Sequence, residues 1–139
     1  MTKEKNNEDL QKKYLEFQIL VNQINQLQQQ IVSIQNQLIE LRDLKENLSK
    51  LKDIKEGTES YVPLSSNIFI KSKIIDKEEL LVGVGSNVLL PKTLDETTDL
   101  IDKQSKDLEQ FLFEMENQIS ALDLKGQELQ KQLSESTQL

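Results

Sequence analysis

Apolar residues recur at alternating steps of three and four along the first part of the chain. The repeating positions are Leu10, Lys13, Phe17, Leu20, Ile24, Leu27, Ile31, Ile34, Leu38 and Leu41, and Lys13 is the one polar member. A repeat of about 3.5 residues keeps a narrow stripe facing a partner helix, so it predicts a coiled coil. The apolar series then continues one position early, at Leu44, Leu48, Leu51 and Ile54, and we expect local overwinding there. Gly57 supplies a C-cap.

A second helix with the same kind of repeat is predicted to begin after Thr93. Thr93 as N-cap and Glu96 three residues later form a capping box. One apolar row recurs every seven residues, at Leu94, Ile101, Leu108, Met115, Leu122 and Leu129. Gly126 lies in the companion row and is expected to weaken the helix by about 1 kcal/mol relative to alanine. The two helices have similar predicted lengths, which favours an antiparallel pair.

Between the helices the apolar pattern changes to a period of two. Strand-like alternation predicts four short strands, at about residues 60–64, 67–75, 79–85 and 87–90. Turn-forming residues separate them, including Ser65-Ser66, Asp76-Lys77-Glu78 and Gly85-Ser86. The central segment therefore predicts two β-hairpins in succession.

Four strands of this size cannot bury both of their faces without help. A small open sheet leaves apolar side chains in water and its edges unpaired. Closure against strands of other chains removes both problems. We therefore predict that the insert is an oligomerisation module that completes an intersubunit β-barrel. The apolar residues predicted to form this contact are Ile68, Ile70, Ile74, Leu80, Val82, Val84, Val88 and Leu90.

The predicted fold class is α+β, a long antiparallel α-helical coiled-coil hairpin with a central insert of two β-hairpins. Its expected parts are an N-terminal helix at residues 1–57, the insert at 58–91 and a C-terminal helix at 92–139. All three parts would belong to a single structural domain, since 139 residues are one domain's worth of chain.

Composition argues against several classes of function. A net charge of −7 disfavours nucleic acid and anionic membranes as partners. The absence of cysteine and histidine removes the usual zinc ligands and the commonest general base, so we expect no enzyme, no metal and no cofactor. Gly83-Val84-Gly85 lacks the third glycine and the helix of a nucleotide fingerprint. No signal peptide or long apolar run is evident, which predicts a cytoplasmic protein.

Extra apolar area near the two chain ends suggests a binding surface. Leu10, Tyr14, Leu15 and Phe17 exceed what one two-stranded seam needs, and Leu129, Leu133 and Leu139 fall opposite them in an antiparallel pair. One interpretation is ordinary closure of the coiled coil. The other is that part of this stripe stays open and holds apolar segments of client proteins through many weak contacts.

The order helix, β-hairpin insert, helix resembles the prefoldin family, specifically the α-type subunit of archaeal prefoldin. The similarity is densest in YVPLSSNIFIKSKIIDKEELLVGVGSNVLLPKTLDETTDLID, which spans Tyr61 to Asp102. Val62-Pro63-Leu64, Phe69-Ile70-Lys71, Val84-Gly85 and the exit from Lys92 to Asp99 sit where the family's pattern has them. Two hairpins, rather than one, are typical of the α-type subunit.

The resemblance implies a chaperone function. Such a subunit joins prefoldin β-type subunits in an α2β4 hexamer, whose hairpins form a double β-barrel and whose helical tips hold unfolded proteins. It delivers these clients to a group II chaperonin and uses no nucleotide. Two alternatives stay open. One is a structural coiled-coil scaffold that assembles through the same insert without binding clients, and the other is a tethering protein.

Overall fold

Two long helices flank two short hairpins in this chain. A computed structural model describes residues 2–137. The element order is α1 (Thr2–Leu51), β1 (Glu59–Ser65), β2 (Ile68–Lys73), β3 (Glu79–Gly85), β4 (Val88–Thr93) and α2 (Leu94–Thr137). Backbone contacts divide the chain into two compact units. The terminal unit comprises Met1–Gln37 and Leu108–Leu139, and the hairpin unit comprises Leu38–Asp107.

The predicted seam of α1 is confirmed. All ten of its repeating positions are buried or half-buried, and every other residue from 3 to 43 is exposed. Lys13 is half-buried, which is how a lysine covers apolar surface with its methylene stem. The six predicted positions of the main α2 row are likewise buried or half-buried. A narrow apolar stripe on each helix is what a coiled-coil pair requires.

Within each unit the helical segments run antiparallel. In the terminal unit, Gly126 lies against Leu20, and a Cβ added to this glycine would approach a Leu20 methyl carbon to 3.0 Å. Gly126 therefore packs closely against Leu20, whose methyl group would have to shift by a few tenths of an ångström to admit a larger residue. In the hairpin unit, Lys45 Nζ lies 2.6 Å from Asp102 Oδ1, and Lys52 Nζ lies 3.7 Å from Asp95 Oδ1.

The expected slip of the α1 seam after Leu41 is wrong at Leu44. The side chain of Leu44 is 45% exposed, whereas Leu48, seven residues after Leu41, is buried. The helix continues unbroken through this region. Leu51 and Ile54 are half-buried as expected, while Lys52 and Lys55 are exposed, so the slip occurs after Leu48.

Helix α1 ends at Leu51, earlier than the predicted extension to Gly57. The amides of Asp53 and Ile54 donate to the carbonyls of Lys50 and Leu51, at 3.1 and 3.2 Å, so the last turns tighten to a three-residue spacing. Gly57 has a φ of 87°, but its amide donates to the Ile74 carbonyl at 2.6 Å. This glycine therefore begins the first hairpin and does not cap α1.

The cap of α1 comes from a lysine in the segment between the hairpins. Lys77 Nζ donates to the carbonyls of Lys52 and Ile54, each at 2.9 Å. Both carbonyls lie just past Leu51, in the turns that end the helix, and a cation is favoured there because carbonyls at a helix C-terminus lack intrahelical partners and carry partial negative charge. At the other junction, the Glu96 amide donates to Thr93 Oγ1 at 3.1 Å, which confirms the predicted N-cap of α2.

Each hairpin is an antiparallel two-stranded sheet. In the first, β1 pairs with β2 from Glu59 opposite Lys73 to Ser65 opposite Ile68. In the second, β3 pairs with β4 from Glu79 opposite Thr93 to Gly85 opposite Val88. The register shifts once in each hairpin, next to the turn. The prediction of two successive hairpins is therefore confirmed, and each strand bound lies within three residues of its expected position.

Loss of the Lys77 cap should loosen the end of α1. We expect Lys77→Met to accelerate hydrogen exchange at the amides of Asp53 and Ile54 and to lower the free energy of unfolding by about 1 kcal/mol, because two carbonyls lose a charged donor. Lys103→Met, at an exposed position of α2, is the matched control. Unchanged exchange at Asp53 and Ile54 in the Lys77 variant would show that the cap contributes nothing.

Candidate functional site

The two hairpins are a tandem repeat with an offset of 20 residues. Residues 59–73 read ESYVPLSSNIFIKSK, and residues 79–93 read ELLVGVGSNVLLPKT. Both segments pair in the same register, and both have their register shift at the same place, before Ser65 in the first hairpin and before Gly85 in the second. The chain therefore carries one type of β-module twice.

Both turns are built around a Ser-Asn pair. Asn67 has a φ of 69°, and Ser86 and Asn87 have φ values of 51° and 60°. Asparagine tolerates the left-handed region better than most residues do, which suits it to tight turns. Gly85, with a φ of 112°, supplies the conformation that a side chain would strain. These turns fix which apolar residues of the two strands stand opposite each other.

Both faces of the first hairpin expose apolar side chains. On one face Val62 lies opposite Ile70, and on the other Pro63 lies opposite Phe69. Tyr61 is 67% exposed, and every other residue of β1 is exposed as well. A two-stranded hairpin with two wet apolar faces is marginally stable by itself. This geometry favours burial of both faces against other strands.

The second hairpin has one face partly covered within the hairpin unit. Leu80 and Val82 are half-buried and line a groove of about 460 Å³ together with Leu44 and Leu48 of α1. Leu81 and Gly83 of β3 and Thr97, Leu100, Ile101 and Gln104 of α2 complete its wall. Leu81 alternates with Leu80 and Val82 along the strand, and it is 68% exposed. The second hairpin therefore uses one face against the helices and leaves the other open.

The predicted oligomerisation residues divide into two groups. Five of them are exposed on the hairpins: Ile68, Ile70, Val84, Val88 and Leu90. Leu80 and Val82 lie against the groove described above. Ile74 follows the end of β2, where its amide donates to the Thr58 carbonyl at 3.0 Å, and its side chain is half-buried. A role in assembly stays a prediction for all eight, and the exposed five are the ones available for it.

Sequence reasoning passed over the most exposed apolar residues of the hairpins. These are Tyr61, Leu64, Phe69, Leu81 and Leu89. They were missed because the alternation was assigned to one inward and one outward face, whereas both faces are apolar. A comparison of the sequence with itself at an offset of 20 residues would have found them, since Leu64 aligns with Val84 and Phe69 with Leu89.

The residues predicted to bind clients near the chain ends also divide. Leu129 and Leu133 are buried, and Leu10 and Phe17 are half-buried in the seam. Tyr14 and Leu15 are 48% and 58% exposed. Ordinary closure of the coiled coil therefore accounts for the first four residues, whose apolar surface pairs the helices. Tyr14 and Leu15 form the open part of the predicted stripe, and Leu139 lies outside the described residues.

The described part of the chain offers little for metal chemistry or membrane insertion. Among residues 2–137, no cluster of three histidine, cysteine, aspartate or glutamate side chains is placed to hold a metal ion. Neither helix, over its described length, contains a stretch that is apolar enough to cross a bilayer. Gly83 and Gly85 lie within strand β3, and a dinucleotide fingerprint instead places its glycines at the start of a helix.

Comparison with known proteins identifies the family. The family model described as "Prefoldin subunit" matches residues 20–139. The chain belongs to the prefoldin family. "Prefoldin subunit alpha" of Pyrococcus horikoshii is 31% identical over 137 residues, which cover 93% of each chain. "Prefoldin subunit alpha" of Methanopyrus kandleri is 30% identical over 126 residues, with 86% of this chain and 78% of the relative covered.

A solved structure supports the same conclusion about the fold. The chain matches a cryo-EM structure of filamentous PFD from Methanocaldococcus jannaschii with a TM-score of 0.75 and 26% identity. The match covers 81% of this chain and 93% of the other. Two long helices with two small hairpins between them are thus a prefoldin fold, of the α type named in the relatives. Membership in this family supports a chaperone-type function.

Charges placed on the hairpins should prevent assembly. We expect the double substitution Ile70→Asp and Val88→Asp, at two exposed hairpin positions, to reduce the mass of the oligomer to that of a monomer, because a carboxylate buried at a strand interface is strongly disfavoured. Helicity measured by circular dichroism should stay near the wild-type value, since neither residue lies in a helix.

A matched control lies between the hairpins. Ile75 is 87% exposed but lies outside the four strands, so Ile75→Asp should leave the oligomer mass unchanged. Light scattering of the three proteins checks this expectation. An unchanged mass for the double variant would mean that the hairpins do not mediate assembly.

Proposed function

We propose that this chain is a chaperone subunit that assembles through its hairpins and holds non-native proteins without nucleotide. In this proposal, its partners are β-type prefoldin subunits in an α2β4 hexamer, its clients are unfolded proteins, and it transfers them to a group II chaperonin in the cytoplasm. The observation that carries the proposal is the pair of repeated hairpins with exposed apolar faces, in a chain of the prefoldin family.

The proposed assembly follows from the unpaired strand edges of the hairpins. Each sheet has two strands, and each strand therefore has an outer edge whose amides and carbonyls have no strand partner within the described chain. Strands from other subunits would pair with these edges and cover the apolar faces at once. Full burial of one large apolar side chain stabilises an interface by about 1.5–3 kcal/mol. Several such residues on each hairpin supply apolar area that favours association and works against the loss of freedom on binding.

Client binding is proposed for the exposed apolar residues of the terminal unit. Tyr14 and Leu15 project from α1 in a region where Leu10 and Phe17 already close the seam. Apolar side chains of this kind bind exposed apolar segments with little sequence preference, and each contact is weak. Several subunits around one client would add these contacts by avidity. Capture of this kind needs no chemical step, which agrees with a mechanism that uses no nucleotide.

A structural scaffold is the second candidate. The structural relative from Methanocaldococcus jannaschii is described as filamentous, and two like hairpins in one chain are a suitable basis for head-to-tail growth. In this alternative, copies of the chain join through successive hairpins and no client is held. A tethering role would use the helices as spacers in the same assembly.

A holding assay separates these candidates. We expect the assembled complex to slow the aggregation of a chemically denatured test protein without nucleotide, as measured by light scattering. Replacement of Tyr14 and Leu15 by serine should weaken this protection several-fold, because the exposed apolar area of the terminal unit falls. Ile39→Ser, at an exposed apolar position of the hairpin unit, serves as the control and should retain protection.

Each result of the assay has one interpretation. A scaffold would give no protection in any of the three proteins. If the wild type and the Tyr14, Leu15 variant protect equally, the holding function is retained and clients bind at other residues. Oligomer mass is measured in parallel, so that a loss of assembly is not mistaken for a loss of binding.

A further inference from the structure

The groove of the hairpin unit lies along the outer edge of strand β3. Residues 80–83 of this strand line it, and successive residues of a strand point to opposite faces of the sheet. No residue of β4, all of which the structure describes, belongs to the lining. A cavity that touches both faces of one strand, but not the strand paired with it, lies at the open edge. The apolar wall beside this edge consists of Leu44, Leu48, Leu100 and Ile101 of the two helices.

The outer edge of the first hairpin is interrupted on β1 and complete on β2. The Ile74 amide donates to the Thr58 carbonyl at 3.0 Å, so the next pair, Glu59 and Lys73, directs its amides and carbonyls outward. Every second pair from there does the same, including the pair that contains Pro63. Because proline has no amide hydrogen, the edge of β1 lacks one donor. The edge of β2 contains no proline.

In the second hairpin the proline lies on the other strand. Pro91 of β4 pairs with Leu81 of β3, and a proline has no amide to donate to its partner, so this pair also directs its backbone groups outward. The edge of β4 is therefore interrupted. The edge of β3 has outward amides at Glu79, Leu81 and Gly83, and the last two residues line the groove. The two complete edges of the chain are thus those of β2 and β3.

In the described chain, β2 and β3 do not pair with each other. They belong to separate sheets, although only residues 74–78 connect them. This segment is held at the end of α1, because Lys77 Nζ donates to the carbonyls of Lys52 and Ile54. Both complete edges are therefore available to strands of other chains.

We propose that the groove binds strand β2 of a second copy of the chain, which adds antiparallel to β3. The register that overlaps the two edges fully places Lys73 opposite Glu79 and Phe69 opposite Gly83. Opposite charges on facing strands attract, and a glycine leaves room for an aromatic ring. A parallel strand would instead place Phe69 beside Glu79 and separate the two charges. This inference rests on the proposed function and specifies one contact of its assembly.

Cysteine cross-linking tests this contact, because the chain has no cysteine of its own. In the proposed register, Ile70 of one copy lies opposite Val82 of the other. Both residues bond to partners within their own hairpins, so across the contact they form a pair without mutual hydrogen bonds, with Cα atoms about 4.5 Å apart. A disulfide spans this distance.

Two single-cysteine variants are mixed under reducing conditions, assembled with and without a cysteine-free β-type prefoldin subunit, and then oxidised. Ile70→Cys carries a short tag, so that its disulfide with Val82→Cys is recognised by mass on a non-reducing gel. We expect the mixture to give at least about ten-fold more disulfide dimer than either variant alone, because like cysteines lie too far apart in this register.

Val62→Cys is the matched control on the interrupted edge of β1. Val62 lies opposite Ile70 in the same hairpin, and the two side chains are 46% and 48% exposed. Mixed with Val82→Cys, this variant should cross-link only at the background level. Addition of Glu79→Lys to Val82→Cys should lower the yield with Ile70→Cys about two- to five-fold, and addition of Lys73→Glu to the latter should restore it.

Three outcomes would contradict this account. Equal yields with Val62→Cys and Ile70→Cys would overturn the choice of edge. If the reduced variants assemble, as their mass by light scattering reports, and the disulfide between positions 70 and 82 does not form, this contact fails while the proposed function stands. A wild-type chain that stays monomeric with the β-type subunit would instead defeat the proposed assembly.

Discussion

Burial of apolar surface that one chain cannot cover alone is the constraint on which this molecule depends. The helices satisfy it internally, because the rows through Leu20 and Ile34 and through Met115 and Leu129 close against each other within their unit. The hairpins do not satisfy it. Their two-stranded sheets leave Tyr61, Phe69 and Leu89 in water and leave every outer strand edge unpaired within the described chain. This difference separates the part that holds its own shape from the part that requires partners.

Because the chain carries the hairpin module twice, it has two surfaces that require partners. Two modules in tandem give the chain two two-stranded sheets with unpaired outer edges in the described part of the chain. The second module also packs Leu80 and Val82 against the helix ends, and Lys77 in the connecting segment caps α1. The connection between assembly and the helices therefore depends on a few specific contacts. A chaperone hexamer and a filament would both need this junction between the hairpins and the helices. The two assemblies differ in which subunits pair with the hairpins.

Much of the fold was predictable because its determinants are local and periodic. The seam of α1 from Leu10 to Leu41 and the N-cap at Thr93 follow from residues close in sequence, and the structure confirms both. The end of α1 was not predictable in this way, since its cap comes from Lys77, about 25 residues further along the chain. The exposure of Leu44, which the apolar pattern places in the seam, likewise depends on packing across the helix pair. The apolar character of both hairpin faces was readable from the 20-residue repeat, whereas the half-burial of Leu80 and Val82 depends on contacts with the helices.

Assembly with strands of other subunits is the central claim, and the mass of the chain in solution tests it most directly. Light scattering at micromolar concentration, with and without a β-type prefoldin subunit, distinguishes the possibilities. The account predicts a stable multi-subunit complex that contains both chains. A monodisperse monomer that stays monomeric in the presence of the β-type subunit would contradict it.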